Sequence, residues 1–471
     1  MPDPSRASRL DVAFLRLAAA EDARPQEGRE LLALTEATSA EEAFLRRVAV
    51  RGLGRLENPE LLDAITPLLD DPVPAVREAA ANAAAQAVHT SSGEAALGQL
   101  LERLNVEQDP AVRGTLARSI GRLSLSTADQ AEALRAILDA SRAQGGDAPT
   151  PTLLGVALGL EAMVRAEGGS VLTSNAIRRL RELARFEGDV AGAAEPPRIR
   201  ALAVTALGNA EQLTPDIVDF ALRDTDMQAG ATALRFFSTV PATARDEFLR
   251  RAVANNSLLT VVEAFSVIAG GPRTQGRCAY LFAAAEQPPA DGRAIPVPIR
   301  LVALDALAEP CPELERQRNL LRNVAAAVPV GPGWQPAAHG LAALAQLAPD
   351  EASDILPSHA NHPDPFVRAW AARTAGVLGD AAQLRALARD DHPNVRTAAL
   401  QPLFSLEDHE ADPVLLNQLQ EDDPQLLMTA ARLLADSPDP SRVAQAALDA
   451  FIRISAAERE TWWDPRLALL D

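Results

Sequence analysis

Pro74-Ala75-Val76-Arg77 opens a run of alanines, and the same phrase returns along the chain. It recurs as Pro110-Ala111-Val112-Arg113, Pro197-Arg198-Ile199-Arg200, Pro365-Phe366-Val367-Arg368 and Pro393-Asn394-Val395-Arg396, and Val297-Pro298-Ile299-Arg300 moves the proline one place closer. With the arginine as a register mark, further weaker marks fall at Arg46, Leu154, Gly230, Thr260, His339 and Leu427, giving about twelve units of about 30–45 residues. Self-similarity at that period is the signature of a solenoid, whose core grows with repeat number.

Each part of the phrase has a physical role. Proline is tolerated in the first helical turn, where its missing N–H costs nothing. Asp71, Asp109, Asp364 and Asn256 just before it are expected to cap the helix. The branched residue before the arginine and the third and seventh residues after it share one helical face: Val76, Ala80 and Ala84, or Val112, Leu116 and Ile120. The eighth residue is often glycine (Gly121, Gly208, Gly376), which suits close helix packing or a C-terminal cap. Asp71, Glu107, Asp390 and Glu421 sit six residues before the mark of their units, so an acid–arginine ladder is expected along the stack. Gly- and Pro-containing stretches at 141–152, 186–198, 284–298 and 329–336 read as turns and insertions.

Composition closes several functional doors. The chain has 471 residues, 47% hydrophobic and 4% aromatic, and alanine supplies about a fifth. All 45 basic residues are arginine, so no phosphate-loop, Schiff-base or kinase-type lysine exists. A net charge of −19 provides no global basic footprint for nucleic acid and repels anionic membranes. Cys278 and Cys311, 33 residues apart and in no metal-type spacing, read as two buried free thiols. Met1–Leu10 lacks the apolar core of a signal peptide, which gives a cytoplasmic expectation; an exported protein trimmed of its signal would look the same.

The capping acid, the Pro-x-Val-Arg and the Ala-Leu face resemble the HEAT-repeat family over about residues 40–455. The resemblance implies an all-α, right-handed superhelical solenoid of about twelve antiparallel helix pairs that works as a protein-binding scaffold. It also implies that the helix beginning at Pro-x-Val-Arg lines the concave face. The expected layout is one continuous solenoid over 1–471, with an N-terminal cap at about 1–38, repeats at about 40–455 and a cap or truncated repeat at about 456–471. More narrowly, Arg46-Arg47-Val48-Ala49-Val50-Arg51-Gly52-Leu53-Gly54-Arg55-Leu56 with Asn58-Pro59-Glu60-Leu61 resembles the HEAT-rich N-terminal region of bacterial cyclophilin-type peptidyl-prolyl isomerases. That resemblance implies a scaffold without its catalyst, since no cyclophilin-like segment is present.

Candidate chemistry is sparse. His362, Asp364 and His392 would face one another across the stack if they formed a zinc site; otherwise the late histidines, His359 included, read as solvated loop residues. The pairs Asp70-Asp71, Asp390-Asp391 and Asp422-Asp423 recur at one slot and read as helix caps rather than acid–base pairs. No nucleophile elbow or glycine-rich phosphate loop occurs. Trp370 stands in a slot held elsewhere by Ala79, Thr115 and Ala398, as a groove anchor or a packing filler. Arg373 shares its face, as does Arg118 in another unit. Trp462 and Trp463 point apart near the end, as a cap or an exposed pair. The sequence therefore leads to a non-enzymatic scaffold that binds a protein or extended polypeptide. No cofactor, metal, nucleic acid or membrane is expected, and Arg118, Trp370 and Arg373 are the candidate contacts. The alternatives are the repeat region of a cyclophilin-type isomerase and, more remotely, a HEAT-like enzyme such as a DNA glycosylase or bilin lyase.

Overall fold

A computed structural model of the chain describes residues 4–25, 27–143, 146–188, 195–224, 227–239, 242–255, 257–286, 295–456 and 463–470. The chain divides into two compact units, Met1–Ala264 and Phe265–Asp471. Both are built from helix pairs. In the first unit, helices Pro4–Asp22 and Arg29–Ala37 precede pairs opened by Ala43–Arg55, Pro74–Ala87, Pro110–Ile120, Thr150–Glu167, Glu195–Asn209 and Met227–Arg235. In the second, pairs are opened by Val297–Ala306, Gln335–Leu347, Pro365–Leu378, Pro393–Glu407 and Pro424–Leu434. Helix Leu258–Ala269, followed by Gln275–Ala285, carries the division. Every register mark falls inside one of these first helices, so the all-α solenoid architecture is confirmed. The 141–152 insertion adds one small feature, a two-residue antiparallel pairing of Arg142–Ala143 with Gly146–Asp147.

Within each unit the first helices pack on one another more closely than the second helices do. The face set by the phrase explains this. Val76, Ala80 and Ala84 are buried, as are Val112, Leu116, Ile120 and Val367, Ala371, Ala375. Small residues then let the backbones touch. A Cβ on Gly121 would lie 2.3 Å from the Gly159 carbonyl oxygen, and one on Gly155 would lie 2.0 Å from that of Gly114. Gly208 abuts the Phe236 ring and Gly376 abuts Pro402 in the same way. The eighth-position glycine is thus chiefly a packing device; the left-handed cap of helix Pro365–Leu378 is Gly379 instead, at φ +71°.

The acid–arginine ladder is present. Arg46 binds Asp71 through Nε and Nη2 (2.6 and 2.9 Å), Arg77 binds Glu107 (2.8 and 2.9 Å) and Arg368 binds Asp390 (2.7 and 2.8 Å). Arg396 donates to Glu421 at 2.9 Å. In each case the acid belongs to the following unit. Arg77 and Arg396 also donate through Nη1 to the main-chain carbonyl of the acid six residues earlier (Asp71 O and Asp390 O, both 2.8 Å), so successive rungs are linked. A rung the sequence reading missed joins Arg200 to Asp224, six residues before the weak mark Gly230.

Several expectations need correction. Asp109 and Asp364 cap their helices (Asp109 from the amides of Ala111 and Val112, Asp364 from that of Phe366), but Asp71 does not: Val73 is the cap residue and Asp71 is taken by Arg46 and the Val73 amide. Of the acidic pairs, only Asp423 caps a helix; Asp70, Asp390, Asp391 and Asp422 accept from arginines. Asn256 and Trp462 lie outside the described residues, as does the side chain of Trp463. His359 and His362 are buried, not solvated, because each reaches a carbonyl of the preceding pair, Ala325 O at 2.9 Å and Pro329 O at 3.1 Å. Burial holds the His359 pKa below its ordinary value despite that bond. His392 caps helix Pro393–Glu407 by accepting from Asn394. The cysteines are not free thiols: Cys278 and Cys311 form a disulfide with Cα atoms 6.1 Å apart. They lie in successive units, 33 residues apart, and stacking brings successive units together.

Candidate functional site

The second unit carries a run of polar and aromatic side chains across three consecutive first helices. Asp305, near the end of Val297–Ala306, meets His339 of Gln335–Leu347 at 2.6 Å. The His339 ring lies 4.3 Å, centroid to centroid, from Trp370 of Pro365–Leu378. The Arg373 guanidinium sits 5.2 Å over the same indole, one helical turn on. Beside this run, Trp334 stacks on Phe366 with centroids 6.5 Å apart and planes within 3°. Phe366 is 55% exposed, Arg373 is exposed and Trp370 is half-buried.

Helical geometry places these groups. Trp370 is two residues past the ladder arginine, so it leaves the helix beside the buried stripe rather than within it. Alanine or threonine at that slot elsewhere leaves the surface flat; indole raises it. The Trp370 ring contacts His339 of the preceding pair, and the exposed Arg373 guanidinium lies over it. Such cation–π and aromatic pairs contribute about 0.5–1.5 kcal/mol each at partly exposed sites.

The structure brings Trp370 and Arg373 together and leaves Arg118 in the first unit. Arg118 is exposed, and Arg165 donates to Glu161 at 3.2 Å. Burial, then the charges of Arg118 and Arg165, lower the Arg122 pKa. Arg122 donates to Asn82 Oδ1 at 3.1 Å. Sequence reasoning missed Asp305, His339, Trp334 and Phe366. Their signal is one of register: each sits in or beside a first helix, but no motif links them. Among the described residues no three His, Cys, Asp or Glu side chains converge as a metal ion would require, and no helix is long and apolar enough to cross a membrane.

A family model described as HEAT repeats matches residues 31–121 and 332–403. No curated protein matches the sequence. Among solved structures, the chain is similar to one from work on Kap95p binding to RanGDP, at 13% identity and a TM-score of 0.55, over 94% of this chain and 66% of that one. It is also similar to karyopherin Kap121p bound to the SUMO protease Ulp1p (12%, 0.49, over 100% and 58%) and to importin beta (14%, 0.45, over 94% and 60%). The chain thus spans less than two thirds of these proteins. The narrower resemblance to isomerase-associated repeats finds no support here. Residues 31–121 and 332–403 are similar to HEAT repeats, and the likeness to the Kap95p structure is one of fold.

Proposed function

We propose that the chain is a non-enzymatic scaffold that holds a protein partner against the first-helix face of residues 297–378. The observation that carries this is the run Asp305–His339–Trp370–Arg373, flanked by the Trp334–Phe366 stack. Interface energy concentrates in tryptophan, tyrosine and arginine residues set in well-packed surroundings, and this surface offers Trp and Arg on a rigid layer of helices. The Kap95p structure, which shares the fold, concerns a protein that binds RanGDP; a similar use of stacked helices here is part of the proposal. Arg118, exposed in the first unit, is a second candidate contact. The Cys278–Cys311 disulfide supports an oxidising compartment, which favours the exported alternative over the cytoplasmic one.

The test is quantitative capture from source lysate with the unmodified chain, with Trp370→Ala plus Arg373→Ala, and with Ile452→Ala on an exposed second-helix face. A stoichiometric protein retained by the first and third baits but reduced at least ten-fold on the second supports the assignment. Equal retention by all three baits overturns it.

A further inference from the structure

The ladder is interrupted at Arg300. The rung acid lies six residues before the next mark, and Asp71, Glu107, Asp224, Asp390 and Glu421 all occupy that position and all hold an arginine of the preceding unit. For Arg300 the next mark is His339, and the position six residues earlier is Gly333, which has no side chain and takes φ +93° in the 329–336 turn. Arg300 donates only through Nε, to Ala285 O at 3.2 Å, and no carboxylate of the described residues reaches its terminal nitrogens. Burial alone lowers its pKa; no neighbouring charge contributes.

The space left by the missing acid is a cleft of about 490 Å³. Leu320, Val324, Pro329 and Pro336 make its walls largely apolar, and Asn323 adds an amide. Glu286 also lines it, but Arg316 holds that carboxylate at 2.8 Å. Arg113 likewise lacks a rung acid, since Ala148 stands at its partner position; its cleft, however, carries Glu132 and Asp139. Among the described residues, Arg300 is therefore the ladder arginine whose cleft holds a guanidinium with no carboxylate bound to it, beside an apolar wall.

We infer that the Arg300 cleft binds the C-terminal carboxylate of a protein partner whose last side chain is apolar. The guanidinium fork takes a carboxylate bidentately in three other rungs of this chain, at 2.6–2.9 Å. A chain terminus carries its carboxylate and its side chain on one Cα, so the first meets Arg300 while the second enters the apolar wall. An internal glutamate would bring main chain on both sides and only a short methylene stem.

This inference rests on the scaffold reading, but its test does not. N-acetyl-leucine, N-acetyl-leucinamide and N-acetyl-glutamate N-methylamide are titrated calorimetrically into the full chain and into Arg300→Gln. The expected result is binding of N-acetyl-leucine at least ten-fold tighter than either other compound, with the preference lost in Arg300→Gln. No binding of N-acetyl-leucine, equal binding of the amide, or equal binding of the glutamate compound overturns the proposal. So does a preference that survives in a folded Arg300→Gln. The acid–amide comparison in the unmodified chain decides even if the variant does not fold. Failure here leaves the Trp370 surface standing, because that surface is tested by its own variants.

Discussion

Replacing Glu107 with glutamine will loosen the junction between the second and third ladder units by about 3 kcal/mol. The Glu107 carboxylate is 1% exposed and accepts from Arg77 (2.8 and 2.9 Å), Arg103 (3.0 and 2.7 Å) and the amides of Gln108 and Asp109 (3.0 and 2.9 Å). Burial by itself would raise its pKa; the bonds from Arg77, the Asp109 amide and Arg103 outweigh burial and hold it at about 2, against an ordinary value of 4.5. The difference of about 2.5 units corresponds to roughly 3 kcal/mol of preference for the charged form in the folded chain. Breaking a buried ion pair independently costs about 3–5 kcal/mol. Glutamine keeps one acceptor but turns an NH₂ group toward donors. The sign of the pH dependence follows. A depressed carboxyl contributes its full stability above the unfolded value and loses it as pH falls from about 4.5 to about 2. The assay is native-state hydrogen exchange of peptides from Pro74–Ala87 and Pro110–Ile120, because a repeat stack loses stability locally. Protection should fall about 100-fold at pH 7, and the gap between variant and parent should narrow toward pH 2. A loss below about 1 kcal/mol, or a gap that stays constant with pH, refutes the reasoning.

Three further outcomes follow from the same packing. Arg77→Gln should destabilise by about 3 kcal/mol while Arg113→Gln, which gives up only bonds to the Leu104 and Glu107 carbonyls, should lose about 1 kcal/mol in denaturant titrations. Gly155→Ala should cost about 1–3 kcal/mol or more, because its Cβ would meet the Gly114 backbone at 2.0 Å, whereas Gly98→Ala, with nothing within 4 Å, should be neutral or stabilising; thermal melts compare the two. Cys278→Ser plus Cys311→Ser should remove about 4 kcal/mol, the loop-closure value for a separation of 33 residues, and dithiothreitol should lower the melting temperature of the parent but not of the double variant.

The repeating phrase made the helix pairs, their buried stripe and the ladder legible, since each depends on spacing within one unit or between neighbours. Val76, Ala80 and Ala84 are buried because helical periodicity requires it, and Glu107 meets Arg77 because stacking repeats a fixed offset. Asp224 escaped notice because its unit has Gly230 at the mark, although the six-residue offset still held. The disulfide escaped because the cysteines were weighed by motif spacing; their placement in successive units of the stack was the relevant signal. Of the candidate surface, Trp370 and Arg373 were legible as an outsized residue and its helical neighbour. Asp305, His339, Trp334 and Phe366 were not, because contacts between pairs in weak-register units depend on loop lengths that the phrase does not set.

The central claim is that the first-helix face of residues 297–378 contacts a protein partner. Site-specific photo-crosslinking tests it most directly, with benzoylphenylalanine placed at Phe366 and, separately, at Ile452, both exposed. The expected result is a defined protein adduct from position 366 that Trp370→Ala plus Arg373→Ala abolishes, with no such adduct from position 452. The same adduct from 452, or an adduct at 366 indifferent to the double substitution, would contradict it.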